Sequence, residues 1–170
     1  MIFMSQSGIT DAARERDWDA WYVEHLRIML TVPGISSTQR FRSVTAGEPP
    51  SLAMYTIASA DVFQDPYYQS VRGMGEWLPL IARKHYRRNL FEGLDAAPGV
   101  PDDCVLLVAD CAVPQSEDNG VEFSWLKTVG LDYSTPYRGI AVATQSVADR
   151  LASTTAIGIY RPVTARHQQR

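Results

Sequence analysis

An α+β fold of antiparallel strands and packed helices is the class this chain predicts, and three observations carry the prediction. Before a Pro-, Gly- and Asp-dense stretch at 96–103 (AAPGVPDD), hydropathy and turn signals read in the order β-α-β-β-α-β. After it they read β-α-β, a short helix and a last β. The two parts also echo each other: LAMYTIAS and IGIYRPVT each place one tyrosine mid-strand, and Trp21 opens a Trp-x-x-x-His spacing where Trp125 opens Trp-x-x-x-Val. This is the pattern of a duplicated ferredoxin-like β-α-β-β-α-β unit whose second copy is shorter. The expected organisation is a first unit over 1–95, a linker over 96–103, a second half over 104–163 and a polar, fraying tail over 164–170.

Each element has its own signal. Met1 to Gln6 is a short apolar run that suits an opening strand. Thr10 or Asp11 caps the helix that follows, because a side-chain oxygen there accepts an orphan backbone N–H. That helix runs to about Thr31 and stops at Pro33-Gly34, Pro lacking a donor and Gly accepting positive φ. The stretches 36–46 and 51–59 are rich in β-branched and aromatic residues, and Gly47-Glu48-Pro49-Pro50 between them predicts a hairpin. A helical stretch begins at Ser59 and Asp61 and breaks near Asp65-Pro66. A second, from about Gly75 to Arg88, contains Pro79 and is expected to be kinked or divided there. Arg88 to Leu94 reads as a short edge strand. Beyond the linker, DCVLLVADCAVP is a strand, VEFSWLKTVGL (121–131) a short helix, YRGIAVAT (137–144) a strand, SVADRLAS a turn of helix and TAIGIYRPV (155–163) the last strand.

Composition narrows the function classes. The chain has 170 residues, enough to bury a sizeable core, with 45% hydrophobic and 21% charged residues, as in an ordinary soluble domain. Its net charge of −3 does not favour nucleic-acid binding. The run Arg83-Lys84-His85-Tyr86-Arg87-Arg88 reads as a solvated helix end rather than a phosphate patch, with His85 on the surface. Cys104 and Cys111 share one strand at an odd separation, so their side chains leave on opposite faces and do not bridge. No zinc spacing, signal peptide or membrane-length apolar run of ~20 residues is present, so a soluble, cytoplasmic protein without metal is expected.

The helix at 17–32 carries the one constellation with chemistry in it. At about 100° per residue Trp18, Trp21, Tyr22, His25, Met29 and Val32 form a single stripe, with His25 at its centre. Such a face packs on a sheet. A histidine there is either a packed core residue or the polar group of a ring-lined small-molecule pocket. In the second case desolvation keeps the imidazole neutral and able to accept a proton near pH 7. The facing strand offers either Tyr55 or Met54, which lie on opposite faces, and Tyr160 holds the echoing position. Arg40 and Arg42 share a strand face, where they either hold an anionic substrate group or lie exposed. Tyr67 and Tyr68 are pocket rim or loop packing.

With Trp21-Tyr22-Val23-Glu24-His25, the Val32-Pro33-Gly34-Ile35 turn and Arg40-Phe41-Arg42, followed by LAMYTI and the Asp65-Pro66-Tyr67 bend, the chain resembles the EthD-like branch of the dimeric α+β-barrel superfamily. The resemblance covers residues 10–95. It implies a ferredoxin-like unit, two such sheets closing into a barrel, a ligand cleft between helices and sheet, and a role for His25 beside Trp21 and Tyr22. Homodimerisation usually supplies the second sheet in that superfamily, and a homodimer is expected here, although the long second half departs from the pattern. Three functions follow as expectations. The first is a cofactor-independent enzyme in which His25 is general acid/base on a small hydrophobic carbonyl or phenolic compound, with Tyr55 stabilising an enolate-like oxygen. Isomerisation, cyclisation, dehydration or decarboxylation each suits one base in a dry pocket. The second is a non-catalytic protein that binds a small hydrophobic or aromatic molecule. The third is haem binding through His25.

Overall fold

The strand Ile2–Ser7 (β1) is buried at every position, which requires cover on both of its faces. The computed structural model, which describes residues 1–114, 120–153 and 156–169, shows how that cover arises. After β1 come α1 (Glu15–Met29), β2 (Ile35–Ser43), β3 (Ser51–Ile57), α2 (Pro66–Val71), β4 (Arg87–Glu92), β5 (Cys104–Cys111), β6 (Ser124–Leu131), β7 (Tyr137–Thr144), α3 (Gln145–Leu151), β8 (Gly158–Pro162) and β9 (His167–Gln168). Hydrogen-bonded neighbours run β3-β1-β4-β6-β7-β5-β8-β2, and β2 pairs again with β3. The result is a closed, antiparallel, eight-stranded barrel. Strand β9 continues past β8 along the same edge of β2, with Ser37 opposite Gln168 and Thr38 opposite His167.

Alternation along the strands sorts side chains into lumen and exterior. Ile2, Met4, Phe41, Leu52, Met54, Phe91, Leu106, Leu126, Ile140 and Tyr160 form one cluster drawn from all eight barrel strands, and each is at most 1% exposed. Surfaces that closed leave a water molecule nowhere to sit, so this lumen is a core and not a channel. The segment 96–103 caps one end. Ala97 N–H donates to Thr56 Oγ1 (2.9 Å), and Val100 exchanges two bonds with the Gln39 amide (2.7 and 3.0 Å). Near the other end is a polar chain. Arg138, 1% exposed, donates to Asp110 (2.7 and 2.8 Å) and to Gln6 Oε1 (2.9 Å), while Gln6 Nε2 donates to the Tyr160 hydroxyl (3.0 Å). The exterior is covered by two separate layers. On one side α1 and the turns after α2 pack on Phe3, Ala53, Tyr55 and Ile57; on the other, α3 packs on Val105 and Leu107.

Several expectations change. Residues 121–131 are extended, not helical: Leu126 and Thr128 bury while Trp125 and Lys127 alternate with them, and pairing to β4 and β7 fixes that period. The second half therefore runs β-β-β-α-β, and the Trp125 spacing does not lie on a helix. Nor do the two tyrosines correspond, since Tyr55 faces α1 and Tyr160 the lumen. The stretch 75–88 forms two short 3-10 helices, Gly75–Leu80 and Arg83–His85, and the basic run spans the second of them and the start of β4 rather than the end of a long α-helix. Strand β4 is no edge, lying between β1 and β6. The 96–103 segment is a plug, not a free linker, and the tail is tied down by β9, though residue 170 lies outside the described residues, as does 155 at the start of the last predicted strand. Cys104 is a free thiol. No helix among the described residues is long and apolar enough to cross a membrane.

The Arg138 pair and a surface pair give opposite expectations. Asp110→Asn strips a lumen guanidinium of its counter-charge and should cost about 2–3 kcal/mol, since Asp110 keeps some solvent contact. Glu92→Gln, which breaks the exposed Lys127–Glu92 contact, should cost no more than about 0.5 kcal/mol. Urea unfolding of the two variants separates these cases, and equal losses would mean that Arg138 finds another partner.

Candidate functional site

The site grows from α1. Asp11 caps the preceding 3-10 turn by accepting from Ala13 N–H (3.0 Å), and Glu15 and Asp17 oppose the positive end of the helix dipole. Leu30 and the turn at Gly34, whose φ is +86°, end it. The buried stripe is Trp18, Tyr22, Leu26 and Met29, so His25 lies on the flank of the face rather than at its centre. Rings fix its position. Trp18 and Trp21 stack at 5.2 Å, Trp21 and His25 at 4.8 Å with planes 9° apart, and Tyr22 meets His25 edge-on at 5.9 Å. His25 is the half-buried last ring of that stack. Neither of its nitrogens has a hydrogen bond among the described residues.

Beside it, α1 and the barrel wall enclose a hollow. It is lined by Phe3, Ser5, Tyr22, His25, Met29, Tyr55, Tyr68, Arg72, Gly73, Met74, Tyr86 and Arg88, with about 50 Å³ open to the centres of water-sized atoms. That space suits a single-ring compound at most. Burial sets the protonation of its groups. It pulls the His25 pKa down from 6.5 to about 4, so the imidazole is neutral at pH 7. It lifts Tyr22, against smaller opposing effects of Arg40, Ser5 and Ser7, and it lifts Tyr55 further, with Tyr22 and Tyr68 adding to the rise. Tyr68 is raised by burial as well, with Arg72 and Arg88 pulling the other way. All three phenols are therefore donors at neutral pH. Arg88 is anchored from behind, its backbone N–H and Nη2 reaching Asp132 at 2.8 and 3.1 Å, while its buried Nε has no partner.

The structure brings only some of the expected residues together. His25, Tyr22, Met29 and Tyr55 line the hollow, and Trp21 backs His25. Met54 and Tyr160 point into the barrel lumen and do not reach it, because the one-residue alternation of β3 that turns Tyr55 outward turns Met54 inward. Tyr67 is exposed and bonds to Thr31 (2.8 Å); its neighbour Tyr68 is the lining residue. Arg40 and Arg42 face α1 but belong to a separate cavity of about 180 Å³ that also includes Trp18 and Glu15. Their charges are already used. Arg40, 3% exposed, meets Asp19 at 2.7 Å, Ser51 at 3.1 Å and the Tyr22 ring at 4.5 Å, and Arg42 bonds to Asp19. Although larger, that cavity has its cations paired, whereas the His25 hollow keeps polar groups unpaired. The smaller one is the candidate site.

Sequence reasoning missed Phe3, Ser5, Arg72, Gly73, Met74, Tyr86 and Arg88. The alternation of β1 places Phe3 and Ser5 on one face and was readable; which face met α1 was not. Arg88 sat inside a basic run whose composition signalled surface. A cavity this small has no room for a haem macrocycle, and the residues around His25 do not fit that group. Comparisons with protein-family models, curated proteins and solved structures found no match.

The depressed pKa makes stability depend on pH in a stated direction. Between pH 6.5 and 4 the unfolded chain protonates His25 and the folded one does not. The contribution is complete above 6.5 and is lost as pH falls toward 4, by up to about 3 kcal/mol. Urea unfolding at pH 6.5 and 4.5 should show the wild-type protein losing more than His25→Gln, and matching losses would mean that this imidazole is freely solvated.

Proposed function

We propose that the chain is a cofactor-independent enzyme in which His25 serves as general acid/base on a small hydrophobic carbonyl or phenolic compound. The observation that carries this reading is a neutral imidazole with no hydrogen bond to the described residues, at the wall of a hollow that the protonated phenols of Tyr22, Tyr55 and Tyr68 also line. The chemistry is concise. An imidazole nitrogen takes the proton from the carbon α to the carbonyl, and that C–H electron pair becomes the C=C of an enolate. Tyr55 or Tyr22 donates to the developing oxygen anion. The imidazolium then returns its proton to another carbon, or to a departing hydroxyl. Isomerisation and dehydration both fit, because a conjugate acid of pKa about 4 is a strong proton donor.

Part of the same reading is that residues 1–95 form a ferredoxin-like unit of EthD-like type. Its support is the chain order β1-α1-β2-β3-α2-β4 together with the neighbour order β4-β1-β3-β2. In this chain the second half supplies the rest of the barrel, so a homodimer would duplicate the site rather than complete it.

One observation favours a second reading, capture without turnover. At pH 7 protonating a group of pKa about 4 costs about 4 kcal/mol, and hydrogen bonding to a ligand asks for no such transfer.

Proton exchange separates the two. In D2O the protein should speed deuterium incorporation at the α-carbon of at least one member of a panel of small aryl ketones and aryl α-keto acids. His25→Ala should keep the circular dichroism and unfolding transition of the parent while abolishing that exchange. The acid limb of kcat/KM should fall near pH 4 rather than 6.5. Exchange that His25→Ala leaves unchanged would remove His25 as the base, and binding of panel members with no exchange at all would leave capture.

A further inference from the structure

We propose that the His25 hollow takes a small monocarboxylate, its anionic end on Arg88 and Arg72 and its apolar body among Phe3, Met29 and Met74. This rests on the pocket reading above and names the charge of what the pocket holds.

The lining contains two arginines and no aspartate or glutamate. Elsewhere the buried cations of this fold are matched at close range, Arg138 by Asp110 at 2.7 Å and Arg40 by Asp19 at 2.7 Å. The arginines of the hollow are less buried: Arg88 pairs with Asp132 at 3.1 Å, and Arg72 is exposed. Arg72 Nε donates to the neutral Gln69 amide oxygen at 2.6 Å, and Arg72 has no ion pair among the described residues. Arg88 is held from behind by Asp132, and its buried Nε is unsatisfied. A buried donor without an acceptor is destabilising. An acceptor placed in the hollow meets the guanidinium groups that line it, and one that carries charge makes the stronger hydrogen bonds. Tyr68 lies within the field of both guanidiniums, so its hydroxyl stands ready as a third donor. Asp132 cancels one of the two positive charges, which matches the site to a single negative charge rather than to a phosphate dianion.

The test titrates benzoate and its neutral isostere benzamide into the full chain at pH 7, by calorimetry and by the NMR signals of His25. Benzoate should bind at least about tenfold tighter than benzamide. Arg88→Gln and Arg72→Gln should each erase most of that preference, weakening benzoate far more than benzamide. Arg72 is exposed, so its variant covers the case in which loss of Arg88 unsettles β4. Asp132→Asn keeps an oxygen acceptor for the Arg88 backbone and removes the competing charge, so benzoate should bind severalfold tighter. Equal affinity for benzoate and benzamide overturns the monocarboxylate and leaves the pocket. So does a benzoate preference that survives both arginine substitutions. Binding of neither probe, with His25 signals unmoved, overturns this proposal and the pocket reading together.

Discussion

The pairing of β2 with β3 on one edge and with β8 and β9 on the other closes the sheet on itself, and the rest of the molecule is arranged around that closure. A closed ladder has no free edges and gives every strand an inner and an outer face. The inner faces of eight strands meet, and side chains such as Ile2, Phe41, Leu126 and Tyr160 fill the lumen until no water-sized gap remains at them. A ligand is thereby excluded from the middle of the barrel. Whatever hollow the fold can offer must lie outside, where a helix covers the wall incompletely. The His25 site is such a place.

Rigid rings explain why the cover is incomplete there. Trp18, Trp21, Tyr22 and Trp77 pack by face and edge, and such rings fill space less adaptably than aliphatic chains. Their stack runs along α1 and ends at His25, beyond which the wall is made by Tyr55, Tyr68 and the Arg72–Met74 loop. Gly73 in that loop has a φ of +95°, a conformation open to glycine at little cost. Arg88 Nε, a buried donor without a hydrogen-bond partner among the described residues, belongs to this lining too. An interior designed only for stability would have given His25 a carbonyl or Arg88 Nε an acceptor.

Local signals made most of the elements legible. Strands β1, β2, β3, β5, β7 and β8 stand where apolar and β-branched runs put them, and the Asp11 and Pro33-Gly34 boundaries of the first helix follow from backbone chemistry that acts within a few residues. What failed was non-local. Trp125 and Val129 mimic a helical repeat, and only pairing with β4 and β7 makes that segment a strand. Tyr55 and Met54 are both apolar enough to face a helix, so the register that chooses between them is set by the barrel and not by the strand. Asp19 is an ordinary polar helix residue until β2 brings Arg40 and Arg42 beneath it. Arg88 reads as surface until β4 is placed between two neighbours. His25 was legible as a residue facing inward; that it would border a void while its own nitrogens stayed unbonded was not.

The weak basicity of His25 and the two arginines of the hollow bear on each other. In the empty site, burial alone holds the imidazole near a pKa of 4, where it is a poor base. An anion seated on Arg88 and Arg72 changes that balance, because a nearby negative charge favours the protonated ring as much as desolvation disfavours it. At an effective dielectric of 20, a unit charge ~6 Å away is worth roughly 3 kcal/mol, or about two pKa units. On that reading the ligand raises the proton affinity of the group that is to accept its proton, and the empty protein keeps a neutral, uncharged wall that costs the fold little near neutral pH. The cationic rim and the desolvated imidazole then form one arrangement, in which binding supplies the electrostatics that the unliganded hollow lacks.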